Sequence, residues 1–370
     1  MARACGRYYK ASTAAAADRF DAAVLRRRHY KITGEYMLKT TGLAALSFFF
    51  TTAFACTGAD HARPLNVIAD QASELLHKRQ FKTLDKLAAE FRDKNSLASD
   101  GQPRLMGFYS GLAKSDANCR TPNHTEAQWE EHKTLLTEWA RVSAQPTVPR
   151  LALAELETSY AWRARGSGYA NTVTEEGWVL FRKRLANSRA MLENMPPEAR
   201  NDPDWYSAML TVALGQGWKP EQFDQLYRQA VGKYPYYFAY YFTKGQFYSA
   251  KWHGSQDKFK DFVNESVKAT EQKLGQTMYA RLNWSAYSDT MFQDGQTDWG
   301  RMKHGFDKML ADFPDPWNRN NFAKFACIAG DKKTLREQLE LIGDHVASAA
   351  WIDISYYHSC RRFVGLPPKG

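Results

Sequence analysis

The feature that most constrains this chain is a run of paired amphipathic segments broken at regular intervals by Pro or Gly. "DPDWYSAMLTVALGQGW" (202–218) is followed by "KPEQFDQLYRQAVGKYP" (219–235), and "YYFAYYFTKGQFYSAKW" (236–252) by "SQDKFKDFVNESVKATEQKLG" (255–275). The pattern continues with 276–295 and 297–314, then with 316–331 and 332–343, and ends in a last helix over 346–362. Apolar residues recur at helical spacing, and no alternating pattern of useful length is present. Units of about 32–42 residues are the spacing of tetratricopeptide-like arrays, in which each pair hides its apolar face against its neighbours. The expected fold is all-α, an irregular αα-superhelix forming one domain over 56–365, with 366–370 as a tail.

Upstream, "LNVIADQASELLHKRQFKTLDKLAAEFRDK" (65–94) reads as a helical hairpin: Ile68, Ala72, Leu75 and Leu76 form one stripe and Phe81, Leu84, Leu87 and Phe91 the next. "SLASDGQPR" is a loop. Further helices are expected near 104–114, 125–143, 149–165 and 173–194. The last is headed by Thr172-x-x-Glu175, a capping-box spacing, and stopped by Pro196-Pro197.

"MLKTTGLAALSFFFTTAFAC" (37–56) reads as an export signal. Lys39 gives the positive start, 42–54 is an uncharged apolar run, and Ala53-Phe54-Ala55 is a small-x-small cleavage site, so cleavage is expected after Ala55. A buried core helix and an uncleaved anchor are the alternatives. Cys56 follows directly and is a candidate for lipidation, although Phe54 and Ala53 are a poor context for it. No twin-arginine pair precedes the run at the right distance, which favours ordinary secretion. Residues 1–36 are expected to be an upstream extension, with translation starting at Met37. The implied location is periplasmic or secreted, with membrane attachment only through Cys56 or an uncleaved signal.

The net charge of +10 points less to nucleic acid than it first suggests. Residues 1–36 carry eight Lys/Arg and three acids, Lys39 adds one more, and 56–370 keeps only +4. No basic run crowds one face, so no nucleic-acid partner is expected. A mean hydropathy of −0.57 excludes a polytopic membrane protein.

The chain lacks a P-loop, an HExxH and a GxSxG. His124 and His132 flank "HTEAQWEEH", but two helical turns separate them, and the segment reads as a solvated acidic face, not a metal site. His358-Ser359-Cys360 is a short cluster without the geometry of an activated thiol. Neither metal nor cofactor is expected. Glu155 and Glu157 raise the alternative of a glycan-cleaving carboxylate, yet every mature segment is used in helical hairpins. Beyond the signal there are four cysteines, Cys56, Cys119, Cys327 and Cys360, too few for a disulfide scaffold. Cys327 and Cys360 fall at similar heights of neighbouring first helices. A bridge there is one reading; two buried thiols are the other.

Aromatic residues are the positive signal. "YPYYFAYYF" (234–242) has seven aromatics in nine positions. Tyr237, Tyr240 and Tyr241 suit inter-helix packing, while Tyr236 and Phe242 are candidates for lining a concave face that binds peptides or sugars, pure packing being the alternative.

"AWRARGSGYANTVTEEGWVLFRKRLANSRAMLE" (161–193), with "DPDWYSAMLTVALGQGW", "KWHGSQDKFKDFV" (251–263) and "TMYARLNW" (277–284), resembles a bacterial family of domains of unknown function with tetratricopeptide-like helices. The likeness spans about 65–345. The family pattern Trp-x-x-Arg-Gly-x-Gly is matched by Trp162, Arg165, Gly166 and Gly168. Trp-x-Gly-Ser is matched by Trp252, Gly254 and Ser255, and the last block by Tyr279, Ala280, Arg281 and Trp284. The resemblance implies helical repeats and no known activity.

The segment 159–178 reads as a corner between helices. Gly166 and Gly168 permit positive φ, Arg163 and Arg165 suit a negative helix end, and an anion site on those arginines is the sharper alternative. The expected function is a non-catalytic binding or scaffold module whose partner is a protein or peptide, using the loops near 166–172 and 252–256. The alternatives are an envelope enzyme acting on cell-wall glycan or peptide, or a neutraliser of an envelope-targeting toxin.

Overall fold

In the computed structural model, the described residues are 63–113, 125–166, 170–249, 252, 254–288, 290–351 and 353–367. The segments expected to be an export signal and an upstream extension, with Cys56, Cys119, His124 and Gly168, lie outside them. Among the described residues the protein has fifteen α-helices and no strand. They are α1 (Pro64–His77), α2 (Phe81–Phe91), α3 (Arg104–Leu112), α4 (Glu126–Val142), α5 (Thr147–Arg165), α6 (Glu175–Glu193), α7 (Pro203–Gln216) and α8 (Pro220–Lys233). They continue as α9 (Ala239–Phe247), α10 (Gln256–Leu274), α11 (Thr277–Ser285), α12 (Trp299–Asp312), α13 (Pro316–Ala329), α14 (Lys332–Ile342) and α15 (Ile354–Phe363).

Two kinds of helix alternate. Outer helices such as α8 bury one stripe, here Phe223, Leu226, Tyr227 and Ala230. Inner helices are buried nearly all round: α7 hides Pro203 to Leu210 and then Val212 to Leu214, and α11 hides Thr277 to Asn283. A helix can be apolar on every side only when neighbours cover every side. Accordingly α5 packs on α4, α6 and α7, and α9 packs on α7, α8, α10 and α11. This is the helical-repeat superhelix that the periodicity predicts.

The strongest contact outside the paired array is between α1 and α3, and it depends on glycine. A Cβ on Gly111 would lie 2.1 Å from the Ala69 carbonyl oxygen. The two backbones approach so closely that no side chain fits between them.

The loop between α2 and α3 is not a passive connection. It crosses to the far repeats, where the Asp100 carbonyl oxygen accepts from Arg281 Nη2 (2.6 Å) and Asn318 Nδ2 (3.3 Å). Gly101, at φ 82°, lies directly under the Phe313 ring. Residues about two hundred positions apart in sequence are thereby tied together, and the first repeats are held against α11 and α13.

A second, smaller core joins α13, α14 and α15 around Trp351 and Tyr357. Cys327 and Cys360 are bridged there, with Cα atoms 5.8 Å apart. The bridging alternative of the sequence is therefore the one observed.

Two local expectations are corrected. α6 is capped by Thr174, whose side chain accepts from the Gly177 amide, while Thr172 belongs to a preceding 3₁₀ turn. His132 is not on a solvated face: it is fully buried, with Nε2 2.6 Å from the Leu112 carbonyl oxygen.

Candidate functional site: a tryptophan–arginine end and a buried acid cluster

α5 carries both parts of the candidate site. Glu155 and Trp162 are seven residues apart, which places them on one face about 10 Å apart along the axis. Trp162 stands at the C-terminal end, where Gly166 leaves the helix at φ 75°. Its ring meets Phe181 edge-on at 5.1 Å and Trp252 at 5.6 Å. Room for it comes from α7, where Gly215 leaves Trp162 and Leu185 space that a Cβ would occupy.

Around that ring the motif residues converge. The Arg165 guanidinium lies 5.7 Å from the Trp162 ring centre, 5.6 Å from Trp178 and 5.6 Å from Trp252. A cation over aromatic faces is held by the ring quadrupoles, more strongly as water is removed. Against that attraction, partial burial disfavours the charged form and lowers the Arg165 pKa. The approach of α6 needs Gly177, where a Cβ would lie 2.8 Å from the Ala164 carbonyl oxygen. The turn carrying Trp252 needs Gly254, whose Cβ would fall 1.7 Å from the Tyr248 carbonyl oxygen. All three tryptophans and Arg165 remain half-buried, and Val179 and Leu180 beside them are exposed.

Trp162, Arg165 and Trp252 are thus brought together. Gly166 shapes the exit from α5, and Gly254 shapes the Trp252 turn. Arg163 is half-buried in the same last turn. Trp178 is matched by none of the motif positions, and its part in the cluster depends on how α6 is aimed. Tyr236 and Phe242 are partly buried against the core, and the Lys273 ammonium lies 4.4 Å from the Tyr236 ring centre. The third motif has packing partners instead. The Tyr279 hydroxyl accepts from the Asp298 amide and Arg301 covers its ring; Trp284 sits among Phe306, Trp317 and Phe325. Arg281 is buried under the Asp100 carbonyl, and burial lowers its pKa to about 10.

Around the start of α7, against the middle of α5, lies an acid cluster that sequence reasoning missed, apart from Glu155. Asp202, the N-cap of α7, accepts from Arg92 Nε and the Tyr109 hydroxyl, both at 2.8 Å. Asp204 accepts from the Tyr237 hydroxyl at 2.5 Å and is hydrogen-bonded to Glu155. Burial, then Asp204, pushes Glu155 well above the usual carboxyl range; burial likewise pushes Asp204 up to about 7. Tyr237 and Tyr109 are pushed up chiefly by burial and by these same carboxylates. The only advance signal was a Glu and an Asp-Pro-Asp inside otherwise apolar helical runs.

The pair does not fit two-carboxylate glycoside hydrolysis. That chemistry needs carboxyls about 5–5.5 Å apart for retention or about 6.5–9.5 Å for inversion, whereas these are in hydrogen-bond contact. Among the described residues no group of three His, Cys, Asp or Glu side chains is placed to hold a metal ion. Glu157, two residues on and facing away, is paired with Lys133 at 3.0 Å.

No protein-family model, no curated protein and no solved structure matches the chain.

Proposed function

We propose that the chain is a non-catalytic binding module of the bacterial envelope that recognises another protein or peptide through the tryptophan–arginine end of α5. The observation that carries this reading is the convergence of Trp162, Trp178 and Trp252 on Arg165 at a half-buried surface. Protein interfaces favour Trp and Arg anchors of this kind, because large rigid rings gain much contact for little entropy. Val179 and Leu180, the next two residues of α6 after Trp178, are exposed apolar side chains.

Export is supported by the signal-like segment at 37–55 and by the Cys327–Cys360 bridge, which suits an oxidising compartment. No helix among the described residues is long and apolar enough to cross a membrane. Attachment therefore rests on Cys56 or an uncleaved signal. The family resemblance is consistent with a binding role and adds no activity. A neutraliser of an envelope-targeting toxin would use the same surface. The enzyme reading draws on Glu155 and Asp204, but their direct hydrogen bond argues against glycan cleavage.

The test is capture from envelope extract by immobilised protein and by its Trp178→Ala variant, read by mass spectrometry. The reading predicts a partner retained by the parent protein and lost from the variant, with melting lowered by only a few degrees. Identical partner sets would count against it.

A further inference from the structure

We propose that Glu155 and Asp204 share one proton and form a pH-operated latch between α5 and α7. The inference starts from hydrogen-bond accounting and does not depend on the binding function. Asp204 is buried, with 3% exposure. One of its oxygens accepts from Tyr237; the other, Oδ2, is buried and meets no ordinary donor. Besides Tyr237, the side chain hydrogen-bonded to Asp204 is that of Glu155. Two carboxylates in contact inside a protein cannot both ionise without strong repulsion, so the pair keeps a proton between them. Tyr237 donates to Asp204 and favours its ionised form, so Glu155 is the carboxyl that holds the proton.

Among the described residues no cation acts measurably on the pair. Asp202 faces it from the N-cap of α7 but is engaged by Arg92 and Tyr109. Tyr234 and Tyr237 face this region from the turn before α9, and Tyr240 of α9 donates to the Pro203 carbonyl oxygen. On the other side of α5, Lys133 is paired with Glu157, and Arg184 of α6 lies over Tyr160 and pairs with Glu126. The elevation of both carboxyls described above follows from this setting.

The sign of the pH effect follows. The folded protein binds protons that the unfolded chain has already released above the ordinary carboxyl range. Stability is then full below that range and falls as pH rises through the folded titrations, past Asp204 at about 7. When the shared proton leaves, the two carboxylates repel and α5, the helix bearing Trp162 and Arg165, is loosened from α7.

The test is the melting temperature between pH 5 and pH 9 for the parent protein and for Glu155→Gln. A glutamine amide can donate to Asp204 at every pH. The parent is expected to lose about 2–5 °C per pH unit more than the variant over part of this range. Tyr237→Phe is expected to move the decline to higher pH, because it removes the donor that favours Asp204 ionisation. Should Glu155→Gln fail to fold, infrared spectroscopy of the parent protein decides. A protonated-carboxyl band near neutral pH that disappears in alkali supports the latch. Parallel melting curves, or no such band near neutral pH, would overturn it.

Discussion

Asp202→Ala is expected to destabilise the fold by about 3–5 kcal/mol, the range for removing one partner of a buried ion pair. Asp202 is 3% exposed, and its two oxygens serve three elements. Oδ2 accepts from Arg92 at the end of α2 and from Tyr109 of α3, and Oδ1 accepts from the Asp204 amide at 3.0 Å, capping α7. Burial alone would lower the Arg92 pKa, yet Asp202 and Tyr109 hold it above its ordinary value. Alanine would leave a buried hydroxyl and a helix start without their acceptor, and the largely buried guanidinium with the neutral acceptor Gln145 Oε1 in place of its carboxylate. Asp202→Asn keeps an acceptor for the cap and should recover about 1 kcal/mol. Urea unfolding measures both; a loss below about 1 kcal/mol for the alanine variant would show the pair to be dispensable.

Reduction of Cys327–Cys360, or Cys360→Ser, is expected to cost about 3–4 kcal/mol. The bridge closes a segment of 33 residues, and loop-closure entropy of the unfolded chain sets that scale. Both cysteines are buried, so the bridge should resist reductant in the native state and yield only on unfolding. The structural consequence is local. α15 makes few contacts besides those with α13 and α14, and the bridge adds to the backbone a covalent crosslink between α15 and α13. Hydrogen exchange should therefore show α15 deprotected first in the serine variant, with α5–α7 unchanged. Equal unfolding midpoints for oxidised and reduced protein would contradict this account.

What the sequence disclosed follows from the range of each interaction. Helix pairs were legible because burying one stripe writes a local period into the chain, and Pro or Gly marked the seams. Gly166 was legible as a positive-φ exit for the same local reason. The α6 cap was misplaced by two residues, because Thr172 and Thr174 are both followed by residues suited to a first turn and only the backbone path chooses between them. His132 was misread from its acidic neighbours, although Trp129, His132 and Leu136 share the buried stripe of α4.

The candidate site shows the same division. Trp162, Arg165 and Trp252 were singled out by motif, and the fold joins them. Tyr279, Arg281 and Trp284 were singled out by the same kind of pattern, and the fold places them on α11 in packing and loop-anchoring positions. Nothing local distinguishes the two sets. The acid cluster was invisible because Arg92, Tyr109, Asp202 and Tyr237 meet across separations of 33 to 110 residues. Only the parallel stacking of the inner helices brings those positions to one level.

The most direct measurement is Arg165→Ala, with partner affinity and melting temperature read on the same preparation. Arg165 contacts three half-buried rings, an arrangement worth about 0.5–1 kcal/mol per contact at exposed sites. The account predicts a loss of partner affinity of about tenfold or more, equal to about 1.4 kcal/mol, with melting lowered by only a few degrees. Unchanged affinity with a large drop in melting temperature would make the tryptophan–arginine end a structural corner and contradict the account.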